Sequence, residues 1–229
     1  MARRLFALTP VEAHYTVSRY VSDMRDKKVA PNTINRRLAA LRSLVKLGNV
    51  LGACSWTLHA RGVKRENRRD TRGPTVEQVK HMMEAAWEHP RLDRGARDAA
   101  VLALFFVLGL RSVEVRKLKL SDLDLEGSRV FITGKGFTEK KPLTLAPFVR
   151  EALETWLGFR GDAEGPLFVS LSHRRSTLKG LTRKSVWSIV QQLGESIGIK
   201  VWPHGLRHSS ITQVLEDTDG DVRSAQRFS

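Results

Sequence analysis

The run from Ala99 to Leu110 is almost wholly apolar, and it constrains the fold more than any other stretch of the chain. It is too short to cross a bilayer, which takes ~20 residues. It reads instead as the core of a buried helix running from about Asp93 to Gly109, closed by that glycine near its C-terminus. With 41% hydrophobic residues, the chain has enough apolar surface to pack around it. Directly after the run come Arg111, Ser112, Val113 and Glu114. An arginine at the end of a buried helix sits on a rigid element. Glu114, three residues on, can lie beside it on one helical face and fix the guanidinium rotamer. A structural ion pair at a helix junction explains the same residues equally well.

Two further segments carry chemistry. Arg129 to Thr133 is rich in β-branched and aromatic residues and reads as a strand. Gly134-Lys135-Gly136 is a turn signal, and Lys140 to Leu145 is the returning strand, which puts Lys135 near a hairpin tip. A single lysine there is ordinarily a solvated charge. Near the end of the chain, His204-Gly205-Leu206-Arg207-His208 brings a histidine and an arginine onto one turn, with Pro203 favouring a helix start before it. Histidine moves a proton near neutral pH, and arginine grips two phosphate oxygens at once. Taken alone, a helix start with a satisfied histidine and a surface arginine serves as well.

Taken together, the segments resemble the tyrosine recombinase (phage integrase) family. Gly109-Leu110-Arg111-Ser112-Val113-Glu114 is similar to its first arginine motif, Gly134-Lys135-Gly136 to its hairpin lysine, and His204 to His208 to its H-x-L-R-H box. Asn32 to Arg42 is similar to its N-terminal helical DNA-binding domain. The resemblance covers nearly the whole chain, in the family's order and spacing. It implies a mainly α fold with a small β-hairpin or sheet (α+β), built as a helical DNA-binding domain over 1–60, a basic linker over 61–74 and a catalytic domain over 75–229. It also implies the site residues: Arg111 and Arg207 on the non-bridging phosphate oxygens, Lys135 protonating the departing 5′ oxygen, and His204 on the phosphate or the nucleophile's proton. Glu114 supports Arg111, and His208 packs or hydrogen-bonds beside the site. The activity implied is cleavage and rejoining of DNA through a 3′-phosphotyrosyl link, without metal or other cofactor.

The family places a further His or Trp, then its tyrosine nucleophile, beyond the H-x-L-R-H box. Asp221 to Phe228 resembles the helix just before that position, and the tyrosines present are Tyr15 and Tyr20, neither of which matches the nucleophile. The chain is therefore read as lacking the family's C-terminal segment, binding DNA without cleaving it. The complete protein is expected as a tetramer on DNA and this chain alone as a monomer. A type IB topoisomerase shares the active-site chemistry, and a non-catalytic DNA-binding protein shares the basic cleft.

Charge agrees independently. The 39 Lys and Arg against 24 Asp and Glu give a net charge of +15, which attracts a polyanion, with double-stranded DNA the leading partner. The basic residues are spread through helices, hairpin and linker rather than gathered on one amphipathic helix, which argues against a membrane surface. Cys54 is the one cysteine, so there is no intrachain disulfide, and a cytoplasmic setting in a bacterium, phage or mobile element fits. No Cys/His cluster has metal spacing, and no Gly-rich phosphate loop occurs.

Local signals set the remaining elements. Thr9-Pro10-Val11-Glu12 and Thr75-Val76-Glu77-Gln78 are capping boxes opening helices. Ile34, Leu38, Leu41 and Val45 form one helical stripe, with Arg36, Arg37 and Arg42 off it, either a solvated face or phosphate contacts. Arg65, Arg68 and Arg69 lie in the basic linker, which either tracks a DNA backbone or is a soluble hinge. A helix from Pro147 ends near Gly158, and another runs from Thr182 to about Leu193, with Arg183 and Lys184 placed to meet phosphate at its start.

Overall fold

The computed structural model describes residues 5–64, 73–134, 136, 138–171, 178–218 and 221. The chain divides into two compact units, Met1–Arg69 and Asp70–Ser229, and the division falls within the stretch read as a linker. Lys135, Arg65, Arg68 and Arg69 lie outside the described residues, as do 172–177 and 222–229.

The N-terminal unit is a pair of helices. α1 (Pro10–Asp26) starts at the expected capping box, in which Thr9 accepts from the Glu12 backbone N–H and the Glu12 carboxylate accepts from the Thr9 N–H. α2 (Pro31–Val50) buries Ile34, Leu38 and Val45 against Val17 and Met24 of α1 and Leu58 of the segment that follows. Residues 60–63 are not a free linker. The side-chain amide of Asn35 donates to the Val63 carbonyl at 2.9 Å, its oxygen accepts from the Val63 N–H at 2.7 Å, and Arg42 donates to the Ala60 carbonyl.

The C-terminal unit is helical with one small sheet. α3 (Val76–Trp87) opens at the Thr75–Gln78 capping box. α4 (Leu92–Phe106) is the apolar helix, with Ala99 through Phe105 fully buried. It stops earlier than expected, at Phe106. Gly109 takes φ 57°, a conformation L side chains avoid, and Leu110 N–H reaches back to the Leu104 carbonyl at 3.3 Å. α5 (Ser112–Lys117) leads through a 3₁₀ turn (Leu120–Asp122) into β1 (Leu123–Asp124), β2 (Arg129–Thr133) and β3 (Lys140–Thr144). The strands form an antiparallel sheet in chain order, with Thr133 opposite Lys140.

α6 (Pro147–Arg160) runs past Gly158 and ends at Gly161, φ 78°. A helical glycine costs ~1 kcal/mol against alanine, too little to stop a helix that packs. Trp156 on α6 is fully buried and donates to the Leu167 carbonyl at 2.9 Å, while Arg160 caps the exit by donating to the carbonyls of Gly161, Ala163 and Pro166. α7 (Arg183–Ser196) and α8 (Pro203–Asp217) complete the unit, burying Val186, Ile189, Val190, Leu193 and Leu206 in its core. Among the described residues, no helix is long and apolar enough to cross a membrane.

Candidate active site

Arg111 is the N-cap of α5, so its backbone is extended while the helix begins at the next residue. Glu114 serves it twice. One carboxylate oxygen accepts from the Arg111 backbone N–H at 2.6 Å, and the other pairs with Arg111 Nη1 at 3.0 Å. The Glu114 side chain is buried while that of Arg111 is 39% exposed. The carboxylate thus holds the guanidinium from the protein side and leaves it a face toward solvent, the role the sequence suggested for Glu114.

Arg207 lies in the first turns of α8 and is buried, only 7% exposed. Its Nη1 donates to the carbonyl of Gly109, at the turn between α4 and Arg111. The two arginine motifs, distant in sequence, therefore meet. Electrostatics report the same proximity: burial pushes the Arg207 pKa below its ordinary value, the positive charge of Arg111 pushes it further down, and Glu114 opposes both. Two guanidinium charges held together, one of them desolvated, form a site whose self-repulsion is relieved by an anion.

His204 and His208 are both exposed, one turn apart on α8, with ring centroids 5.8 Å apart and edge to face. His204 is one turn before Arg207 on the same helix. His208 faces a cavity of about 810 Å³ shared with Gly73 to Glu77 at the start of α3. Lys135 falls in sequence between β2 and β3 and lies outside the described residues.

Sequence reasoning missed the contact that seats α8. Ser209 Oγ donates to the Pro74 carbonyl at 2.5 Å, and a Cβ on Gly73 would collide with the Gly205 carbonyl. Only a residue without a side chain lets the segment before α3 lie on the His204–Arg207 turn. The glycine beside Pro74 was the available signal, but nothing local names its partner. Also missed was the pair Asp122–Lys140 at the base of the hairpin.

The candidate DNA contacts are sorted by geometry. Arg36, Arg183 and Lys184 are exposed, the last two on the first turn of α7 behind its N-cap Thr182. Arg37 donates to Tyr20 Oη at 3.3 Å and to Met24 Sδ at 3.5 Å, and Arg42 holds the Ala60 carbonyl, so these two also brace the N-terminal unit. Among the described residues, no group of three or more His, Cys, Asp or Glu is placed to hold a metal ion.

Comparison with known proteins agrees. Residues 75–229 match the phage integrase family. A tyrosine recombinase of Synechococcus elongatus is 36% identical over 229 residues, covering 97% of this chain and 71% of the relative. Tyrosine recombinase XerC of Roseiflexus castenholzii is 31% identical, covering 99% of this chain and 72% of its own. Among solved structures, the Tn1549 transposon integrase in complex with transposon right end DNA superposes with TM-score 0.76 at 14% identity, covering 98% of this chain and 78% of that one. XerA recombinase superposes with TM-score 0.58 at 23% identity, over 96% of this chain and 73% of its own. The chain belongs to the phage integrase family, the tyrosine recombinases, which are site-specific DNA recombinases.

Proposed function

We propose that Arg111 and Arg207 together cradle one DNA phosphate, and that the C-terminal unit is the catalytic domain of a recombinase acting on double-stranded DNA in the cytoplasm. The observation that carries this is the hydrogen bond from Arg207 to the carbonyl of Gly109, two residues before Arg111, together with the lowering of the Arg207 pKa by the charge of Arg111. A phosphodiester is slow to cleave because negative charge builds on the phosphoryl oxygens in the transition state. Fixed donors aimed at those oxygens, already desolvated, lower that barrier.

In this reading a tyrosine oxygen attacks phosphorus. The O–P bond forms as the P–O5′ bond breaks, the tyrosine proton passes toward His204, and Lys135 gives a proton to the departing 5′ oxygen. The product is a 3′-phosphotyrosyl link and a free 5′ hydroxyl, which reverses when a second 5′ hydroxyl attacks. Tyr15 and Tyr20 belong to the N-terminal unit, and we assign the attacking tyrosine to neither. Four such protomers on paired DNA sites would exchange strands, and this chain alone would bind DNA as a monomer.

The test is covalent capture. This chain, and a version of it carrying a tyrosine-bearing C-terminal extension, are incubated with nicked duplex carrying the target site. An adduct from the extended protein that disappears with Arg207→Ala supports the proposal. Binding without any adduct from either protein favours a DNA-binding protein that does not cleave, and relaxation without strand exchange favours a topoisomerase.

A further inference from the structure

The buried carboxylate of Asp122 has no task in the phosphate cradle, yet it is held with care. We propose that Asp122 is a positioning residue for the proton donor. Through Lys140 it fixes the end of the β2–β3 pair, and Lys135 lies in the sequence that connects those strands. The inference rests on the role given to Lys135 above.

The Asp122 side chain is 5% exposed, and an ionised carboxylate that far from water is costly unless paired and hydrogen-bonded. One of its oxygens accepts from the Lys119 backbone N–H at 2.9 Å, closing the 3₁₀ turn, and the other pairs with Lys140 Nζ. Lys140 is the first residue of β3 and stands opposite Thr133, the last of β2. The ion pair therefore grips the final rung of the ladder before the turn.

That rung needs an outside anchor. β3 is the edge strand, largely exposed, and Pro142 within it has no N–H to give to the ladder. Packing does not supply the anchor either, because a cavity of about 480 Å³ lies beside the turn, lined by Glu114, Asp122, Gly134, Gly136 and Lys140 among others. Two carboxylates thus flank one cavity with matching tasks. Glu114 holds the guanidinium of Arg111, and Asp122 holds the strand that leads out of the lysine turn.

The experiment compares two leaving groups. Site DNA is prepared with the ordinary 5′ oxygen or with a bridging 5′ sulfur at the scissile phosphate. When the P–S bond breaks, the thiolate leaves with its electron pair and needs no proton, because a thiol is far more acidic than an alcohol. The extended, tyrosine-bearing protein is assayed for adduct with each duplex. Asp122→Asn and Lys140→Met are expected to slow cleavage of the oxygen substrate about 10- to 100-fold, part of the ~10²–10⁴ that a positioned acid supplies. Both are expected to cleave the sulfur substrate at the parent rate, with Lys135→Ala behaving alike and Lys140→Arg restoring the oxygen rate. Lys140 is 47% exposed, so Lys140→Met leaves the core intact should Asp122→Asn fold poorly.

Equal loss on both substrates, or no loss on either, overturns the inference while leaving the cradle standing. A parent protein that forms no adduct with either duplex overturns the proposed function itself. Lys135→Ala without rescue by sulfur removes the role of Lys135 and the inference with it.

Discussion

Arg207 Nη1 donates to the carbonyl oxygen of Gly109, a residue 98 positions earlier in the chain and just ahead of Leu110 and Arg111. One hydrogen bond thereby fixes α8 to the junction between α4 and α5. The glycine's positive φ turns that junction sharply as the buried helix ends. The arginine is a ligand of the fold and, in the proposed function, a donor to the phosphate as well, and the two duties need the planar fork of a guanidinium.

Substitution by lysine separates the duties. Arg207→Lys keeps a positive charge but presents a point donor that cannot bridge Gly109 and a phosphate. Adduct formation by the tyrosine-bearing protein should fall roughly 10²–10³-fold, the usual loss for one transition-state donor. Affinity for site DNA should change far less. Single-turnover cleavage beside a filter-binding titration reads both numbers, and an unchanged cleavage rate sinks the cradle.

Gly73→Ala should destabilise the C-terminal unit by about 1–3 kcal/mol, the cost of forcing extra volume into a packed site. The added methyl would meet the Gly205 carbonyl and Ser209 Oγ, both on the turn that carries His204 and Arg207. Urea denaturation followed by tryptophan fluorescence measures this, Trp156 lying at the centre of that core. A variant as stable as the parent would mean that the Gly73–Gly205 approach is dispensable.

Arg36 and Arg42 are predicted to part company. Arg36 is exposed on α2, so Arg36→Ala should weaken DNA binding about equally for all sequences and flatten the salt dependence by about one phosphate contact. Arg42 holds the Ala60 carbonyl, so Arg42→Ala should cost about 1–3 kcal/mol of stability in the N-terminal unit. Salt titrations of binding and thermal melts of both variants decide the matter. A stable Arg42→Ala with a flattened salt slope would return Arg42 to the phosphate contacts.

Glu12 supplies a pH test of the first cap. Hydrogen bonds from the Thr9 backbone and side chain hold its pKa below the ordinary 4.5. A carboxylate whose folded pKa is depressed stabilises the fold above its unfolded value and loses that contribution as pH falls through the folded one. The cap should therefore weaken only below pH 4.5. In NMR titration, Thr9→Ala should move the Glu12 midpoint back up toward that value. The variant keeps the backbone N–H of residue 9, so a midpoint that does not move would mean that the Thr9 hydroxyl contributes nothing to holding the Glu12 carboxylate.

Much of this molecule is written locally. The capping boxes at Thr9 and Thr75, the stripe of Ile34, Leu38 and Val45, the strand Arg129–Thr133 and the apolar run into Gly109 follow from rules that span a few residues. The pairing of Arg111 with Glu114 belongs with them, because three residues is one helical turn. The motifs around Arg111, Lys135 and His204 were legible as a set, which is why the family could be named from residues alone. Local rules failed where packing overrode them, as at Gly158, which α6 passes through on its way to Arg160.

The sequence by itself determined which segments become helices and strands, and which side chains carry charge suited to a phosphate. Tertiary structure alone decided that Arg207 reaches Gly109, that Gly73 lies on Gly205, that Arg42 turns inward to Ala60 and that Asp122 holds Lys140. Each of these is a contact between residues far apart along the chain. Local periodicity and capping leave such pairs open, and only packing the apolar faces into a core, α1 on α2 in the N-terminal unit and α4, α6 and α7 in the C-terminal one, brings the partners within bonding distance.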